Sequence, residues 1–453
     1  MRRGSSAAFV IGLLFAVTGS TAGDPGTDES WLETIVERID YSAQLELAGA
    51  AQTSDSRAQA LSFSFSPDVE LELPHDFRLR GIARLRADTF DRLEPGTPRQ
   101  DSVSILSRRL FLGDNVELEL RELYLEGEVG PTYLVIGKQQ VVWGKSDGLK
   151  VLDVVNPQYF REFILEDFEA SQIPLWTVNA EFAVGDATLQ LLWIPDPTFH
   201  STPGPDGAFA FTTPRLAPPP PRGLPVVLHP PDRPRNHFSD SDAGGRLETF
   251  IAGWSLSLNY LYHYADTPIA FRAAPAAPTT PIVVTPRWKR THLVGGTFSR
   301  AVADFVLRGE AGYSTRRFFP TTGSNDLDGA ARTAELRYVL GIDWYGIRST
   351  LVSFQLFQSW LPSHSPGMTR DELDTTMTLL LRRTFLHNTL TIDGIWIHNV
   401  NDGDGLVRPR ARYEIRDGLE LEVGLDLFYG PKEGVFGEFK DRSRAQARLR
   451  CSF

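Results

Sequence analysis

The chain predicts an all-β fold: a transmembrane, antiparallel, up-and-down β-barrel of about eighteen strands, with sixteen as the fallback count. Three observations carry this. Apolar and polar residues alternate over runs of ten to fourteen residues, longer than the five or six residues of a typical soluble strand. Short turns alternate with long loops along the chain. The final strand ends in Phe453 with apolar residues on one face only.

The alternation is clearest at Trp254, Leu256, Leu258, Tyr260, Tyr262 and Tyr264, set against Ser255, Ser257, Asn259 and His263, with Leu261 as an exception. It recurs at Leu419, Leu421, Val423, Leu425, Leu427 and Tyr429, and again at Val352, Phe354, Leu356 and Trp360 opposite Ser353, Gln355 and Phe357. A period of two means one apolar and one polar face. Tilted membrane strands need about 9–11 residues, which these runs supply. Aromatic residues near the strand ends, such as Trp143, Trp193, Trp344 and Trp396, fit interfacial girdles. A large soluble β-sandwich or β-helix is the alternative, but it does not require a steady series of long hairpins.

Short connections at 130–131, 185–186, 252–253, 300–303, 346, 386–388 and 417–418 take turns with long ones at 91–117, 144–176, 195–242, 267–286, 318–330, 362–372, 401–405 and 431–437. In outer-membrane barrels short turns face the periplasm and long loops face outside. An even strand count then places both termini in the periplasm. Rows of charge, including Arg78, Arg80, Arg84 and Arg86 and then Arg408, Arg410, Arg412 and Glu414, belong on a wet inner face. An Arg or Lys facing lipid at the midplane would cost about 2–4 kcal/mol.

The organisation follows. Residues 1–22 read as a secretory signal peptide: Arg2 and Arg3, an apolar run from Ala7 to Val17, and a small-residue site at Ser20-Thr21-Ala22. Residues 23–40 form a periplasmic segment, with one short helix suggested by Trp31, Ile35 and Ile39. Residues 41–453 form the barrel, with an inward-folded loop at 144–176 and a Pro-rich extracellular loop at 195–242 that is expected to be neither helix nor sheet. The single cysteine, Cys451, excludes an internal disulfide. A formal charge of −11 among 453 residues argues against nucleic acid as a partner. Outer-membrane lipid and lipopolysaccharide are expected to surround the protein. The final strand, ending at Phe453, resembles the segment that the barrel assembly machinery reads.

The loop 144–176 is the one segment without strand pattern. Leu149, Leu152 and Val155, then Tyr159, Phe160, Phe163, Ile164 and Phe168, suggest two short helical turns, with Arg161, Glu162, Glu166, Asp167 and Glu169 as a charged face. So much apolar content suits a segment folded back into the lumen. No metal-binding or catalytic constellation stands out, no cofactor is implied, and the chain is not read as an enzyme. The candidate lumen and constriction residues are Trp143, Lys145, Asp153, Asn156, Tyr159, Phe160, Arg161, Glu162 and Phe163 on and beside the loop, and Arg121 on the wall.

The motifs Gly137-Lys138-Gln139-Gln140-Val141-Val142-Trp143-Gly144, Asp147-Gly148-Leu149, Val151-Leu152-Asp153-Val154-Val155-Asn156-Pro157, Arg161-Glu162-Phe163 and Ile173-Pro174-Leu175-Trp176 resemble a family of proteobacterial, porin-like outer-membrane proteins of unknown function. The similar segment covers about residues 118–182. The resemblance implies a bacterial outer-membrane location and an association, in some genomes, with resistance-nodulation-division transporters and lipid-handling proteins. It thus points to a lipid or efflux transport system as a partner, and it supplies no catalytic residues. The functional expectation is a passive channel for small solutes. The alternatives are a transporter of hydrophobic or lipid-like molecules, with Tyr159, Phe160, Phe163 and Phe168 as a greasy site, or an outer-membrane enzyme or surface structural protein.

Overall fold

The computed structural model describes residues 38–146, 148–215, 225–273, 281–322 and 326–453. The signal peptide, nearly all of the segment 23–40, and the run Pro218–Pro221 lie outside the described residues.

Eighteen long strands form a closed antiparallel barrel in chain order. They are β1 (Ile39–Gln52), β2 (Ala58–Glu72), β3 (Arg78–Asp88), β4 (Val116–Val129), β5 (Thr132–Gln139) and β6 (Leu175–Val184). Then follow β7 (Ala187–Ile194), β8 (Asp242–Ile251), β9 (Trp254–Tyr264), β10 (Arg290–Val302), β11 (Phe305–Pro320) and β12 (Ala330–Trp344). The last six are β13 (Thr350–Trp360), β14 (Leu373–Phe385), β15 (Leu390–Asn399), β16 (Asp404–Arg416), β17 (Leu419–Tyr429) and β18 (Arg444–Ser452).

Closure is made by β18 pairing with β1, in a register that sets Leu449 opposite Leu47. Leu47 also faces Phe63 on β2, and Leu449 faces Leu421 on β17. These four side chains are 37–49% exposed and form one apolar row across the seam on the outer surface. Cross-strand apolar pairs of this kind fix register. On the inner surface of the same seam, Arg450 donates to Glu46 at 3.0 Å.

The alternation separates the two surfaces as expected. On β9, Leu258 and Tyr260 are 61% and 45% exposed, whereas Asn259 and Leu261 are each 1% exposed. The turn between β8 and β9 is two residues long, and both Ala252 and Gly253 have positive φ, at 51° and 82°. That is the backbone a tight hairpin needs to match strand twist.

Several features differ from the sequence reading; β1 already begins at Ile39, inside the segment 23–40 read as periplasmic, and four larger differences have local reasons. β5 ends at Gln139 instead of 143, because the N–H of Val141 turns inward to the Asn156 side chain at 2.7 Å. β18 begins at Arg444 instead of 438, because Gly437–Arg442 forms a 3-10 turn that sends Phe439 into the interior. The Pro-rich loop and the loop at 267–286 are not wholly irregular: Val226–Leu228, Ile269–Ala273 and Ile282–Arg287 form a separate three-stranded sheet. Extended Pro-rich backbone can occupy such short strands where no ladder bond is asked of the proline. A short strand at Leu110–Leu112 pairs with the upper part of β4, above the point where β5 has left the wall.

Opposite faces of β1 offer a direct test. Leu47→Arg, on the lipid side, is expected to destabilise the barrel by about 2–4 kcal/mol if it lies near the midplane. Gln44→Arg, on the inner side of the same strand, is expected to change stability little. Urea unfolding in lipid vesicles measures both; equal losses would contradict the assigned faces.

Candidate functional site

The chain between β5 and β6 enters the barrel and crosses it. Among its described residues only Phe168–Ser171 is helical; Leu149, Leu152 and Val155 lie on irregular backbone. The loop therefore satisfies only some of its backbone groups by backbone pairing: the Tyr159 N–H donates to the Ser171 carbonyl at 2.7 Å, the Ile173 N–H to the Pro157 carbonyl at 2.8 Å and the Phe160 N–H to the Ser201 carbonyl at 2.8 Å. A buried unpaired N–H or C=O costs about 1–3 kcal/mol, and side chains supply partners for others.

Two candidate residues hold the loop to itself. Asn156 accepts from the Val141 N–H at 2.7 Å and donates to the Ile173 carbonyl at 2.9 Å, tying the outgoing limb to the returning one. Asp153 accepts from the Gln172 side chain at 2.7 Å and pairs with Lys150 at 3.0 Å.

The first limb grips the wall from β7 to β13. Trp143 is 1% exposed, and its indole N–H donates to Gln190 at 2.7 Å. The Glu310 carboxylate on β11 accepts from the backbone N–H of Lys145 and, at 3.3 Å, from that of Leu152. Arg308 donates to the Lys145 carbonyl at 2.6 Å, and the Lys145 ammonium donates to Ser255 at 2.8 Å. Leu152 is fully buried in a cluster with Leu261, Leu293, Val339 and Phe357, which are apolar residues on the inner face of strands that are otherwise polar there. Burying one leucine contributes about 1.5–3 kcal/mol. Its seat is made by Gly295 and Gly312, where an added Cβ would stand 2.5 Å and 2.9 Å from the Leu152 methyl.

The second limb grips the opposite wall. Arg408 on β16 donates to the carbonyls of Ile164 at 3.2 Å and Leu165 at 2.7 Å. Arg444 on β18 donates to Glu162 at 2.6 Å. The fully buried Asp426 orients both arginines, accepting from Arg408 at 3.0 Å and from Arg444 at 2.8 Å. Arg448 and Arg450 each donate to Asp167 at 3.0 Å. Arg161 pairs with Asp88 at 2.8 Å, and Arg121 donates to the Glu169 carbonyl at 2.8 Å.

The aromatic residues divide. Phe163 enters a ring cluster, 4.8 Å from Phe439 and 5.8 Å from Phe436. Phe160 packs on Phe211 and His200. Tyr159 instead joins a charged group, hydrogen-bonded to Glu94 and Arg109, with the Arg109 guanidinium 4.4 Å from its ring centre. Phe168 is 46% exposed and lies under the Lys150 ammonium. Phe160 and Phe163 share one apolar cluster through Phe211, at 5.7 Å and 6.1 Å, while Tyr159 and Phe168 lie apart from it, so the four form no common greasy site. Phe163 is an anchor and Tyr159 is part of an ion network.

The sequence reading omitted Glu310, Arg408, Arg444 and Asp426 from the site, although rows of inward charge were evident. The apolar exceptions Leu261 and Phe357 on polar faces, and Gly295 and Gly312 inside strands, were the available signals for the loop's seat. A cavity of about 160 Å³ remains on the short-turn side of the second limb, lined by Ser62, Ser64, Arg84, Glu166, Asp167 and Arg448. A second, of about 270 Å³, lies towards the long loops beside Leu149, Val151, Phe357, Arg337 and Arg370.

A closed barrel with a polar interior and an inward-folded loop defines a porin-like outer-membrane β-barrel. The chain belongs to the family described as protein of unknown function (DUF1302), whose model matches residues 107–453. No curated protein matches the sequence. Among solved structures, the fold is similar to the outer membrane protein opdK from Pseudomonas aeruginosa, with a TM-score of 0.50 at 11% identity, covering 92% of this chain and 98% of that one. OccAB3 of Acinetobacter baumannii matches with a TM-score of 0.49 at 9% identity, covering 92% and 98%.

Two outcomes follow from the anchors. Glu310→Ala leaves two buried N–H groups unpaired, at about 1–3 kcal/mol each. Trypsin should then cut at Lys145 or Lys150 while the barrel keeps its heat-modifiable gel mobility; an uncut loop would show that Glu310 is not an anchor.

The second concerns pH. His200 accepts from the Gln158 N–H at 2.8 Å, which requires a neutral imidazole, and burial, with Lys150 and Arg317 adding to it, pushes this histidine down to about 3. A free histidine charges below about 6.5. The contact therefore contributes fully above that pH and is lost as pH falls towards about 3. Burial acts to raise the Asp167 carboxyl, but Arg448 and Arg450 outweigh it and hold it below the usual range, so its contribution is lost only at still lower pH than a free carboxylate's. Hydrogen exchange across 158–163, corrected for intrinsic rates, should rise between pH 7 and pH 4, and His200→Gln should flatten the rise. An unchanged profile in the variant would remove His200 as the cause.

Proposed function

We propose that the protein is a passive channel for small polar solutes across the bacterial outer membrane, with the long loops outside and both termini in the periplasm. The observation that supports this best is the loop between β5 and β6. It is tied to opposite walls, by Glu310 and Leu152 on one side and by Arg408 and Arg444 on the other, so it narrows the lumen at a fixed place. The surfaces left beside it carry Arg, Glu, Ser and Gln side chains, which suit hydrated solutes. The candidate residues Trp143, Lys145, Asp153, Asn156, Tyr159, Phe160, Phe163 and Arg121 then act by holding the constriction in place, and Arg161 and Glu162 also face the cavity on its short-turn side. Passage of lipid-like molecules through the lumen is less well supported, because Phe160 and Phe163 are used in packing and Tyr159 in an ion network.

Planar-bilayer recording tests the reading. The full protein should give stable ohmic openings in salt, and deletion of 146–172 should give larger ones. Absence of conductance in both would sink the proposal.

A further inference from the structure

The segment Ile105–Leu112 stands beside the place where β5 leaves the wall. Its exposure alternates: Leu106, Leu110 and Leu112 are 55%, 64% and 68% exposed, whereas Ser107 and Arg109 between them are 3% and 8% exposed. Arg108 shares the outward face with the leucines. Ile105 is 74% exposed, and the Leu106 carbonyl accepts from the Trp176 indole on β6 at 3.2 Å, so the segment lies against the barrel wall. Farther along the same rim Phe238, 78% exposed, packs on the outward Trp193 of β7 at 5.8 Å. Such a run of bare apolar side chains is costly in water and normal against acyl chains.

Beside this ledge, on the long-loop side, is a cleft of about 540 Å³ lined by Arg99, Arg108, Arg233 and Arg235 with His229. Asp101 is the one carboxylate residue in that lining among the described residues. Arg233 is pinned by backbone carbonyls, Asp101 at 2.6 Å and Val103 at 3.0 Å, and not by a carboxylate. Among the described residues none of the four arginines makes an ion pair with the protein's own acids, although the whole chain carries a net charge of −11. Burial, and then the crowding of Arg108 and Arg235, lowers the Arg233 guanidinium from its ordinary value. Like charges held together over an apolar ledge are complementary to an amphiphile with anionic head and acyl chains.

We propose that this cleft and ledge bind a phosphorylated glycolipid of the outer leaflet, the phosphates among Arg99, Arg108, Arg233 and Arg235 and the acyl chains along Ile105, Leu106, Leu110 and Leu112. The proposal rests on the reading that the long-loop end faces outside. It does not depend on whether the lumen conducts.

The test uses the full-length protein in detergent, titrated with diphosphoryl lipid A, with dephosphorylated lipid A, with phosphatidylethanolamine and with inorganic phosphate. Diphosphoryl lipid A should bind best, and the triple variant Arg108→Ser, Arg233→Ser, Arg235→Ser should bind it roughly a hundred-fold more weakly. Leu106→Ser with Leu110→Ser should weaken lipid A and leave any phosphate binding unchanged. Retained heat-modifiable mobility shows that each variant is folded. Equal affinity in the wild type and the arginine variant, or binding of inorganic phosphate as tight as that of lipid A, would overturn the proposal. Orientation is read separately, by labelling Asp232→Cys in a Cys451→Ser background on intact cells with an impermeant maleimide. Labelling places the cleft at the outer leaflet; absence of labelling overturns the site as one for that leaflet, whatever the binding in detergent.

Discussion

The interior depends on how the backbone of one nearly structureless segment is satisfied. A strand in the wall has a neighbour on each side, and its N–H and C=O groups are paired by the ladder. The chain from Gln140 to Pro174 has only isolated backbone bridges, from Gln158 and Tyr159 to Gln172 and Ser201, and among its described residues one helical turn. Glu310 on one wall accepts from its N–H groups, and Arg408 on the other donates to its carbonyls. These two side chains do from across the lumen what secondary structure does elsewhere. Asp426, fully buried, fixes the direction of Arg408 and Arg444 together, so a single carboxylate on β17 holds two of the arginines that meet the loop.

Packing reinforces the polar anchors and specifies where the loop sits. Leu152 enters a notch that exists because Gly295 and Gly312 have no Cβ, and neighbouring inward positions carry Leu261, Leu293, Val339 and Phe357 where a water-facing wall would carry polar groups. On the far side Phe163 fits among Phe436 and Phe439, and the 3-10 turn at Gly437–Arg442 shortens β18 to supply that partner. The wall sequence has therefore been shaped to the loop at both ends. A segment that only visited the lumen would not need such matched surfaces.

The fold was legible because a period of two is a local property. The runs Trp254–Tyr264 and Leu419–Tyr429 declare their faces without reference to any partner, and all eighteen expected strands are present. The inward course of the loop was legible too, since apolar side chains such as Leu152 and Phe163 need cover. Its internal form was less so. Leu149, Leu152 and Val155 have helical spacing, yet each is held by a different tertiary contact, and tertiary contacts override spacing in a segment this short. The alternative of a greasy site at Tyr159, Phe160, Phe163 and Phe168 was undone for the same reason: whether an aromatic ring meets Arg109 or Phe439 is decided by residues far away in sequence, 50 positions from Tyr159 in the case of Arg109. Glu310 was visible as an inward charge but not as a ligand for backbone N–H groups, because nothing near it in sequence marks the loop that it meets.

A loop fixed at both walls differs physically from a gate that swings, and the ion pair between Glu162 and Arg444 lies where the two differ most. Cysteines placed at Glu162→Cys and Arg444→Cys, in a Cys451→Ser background, can be joined by a short thiol-bridging reagent while single-channel current is recorded. A fixed constriction predicts ready cross-linking with the current unchanged before and after bridging. Failure to cross-link, or a fall in current when the bridge forms, would contradict it.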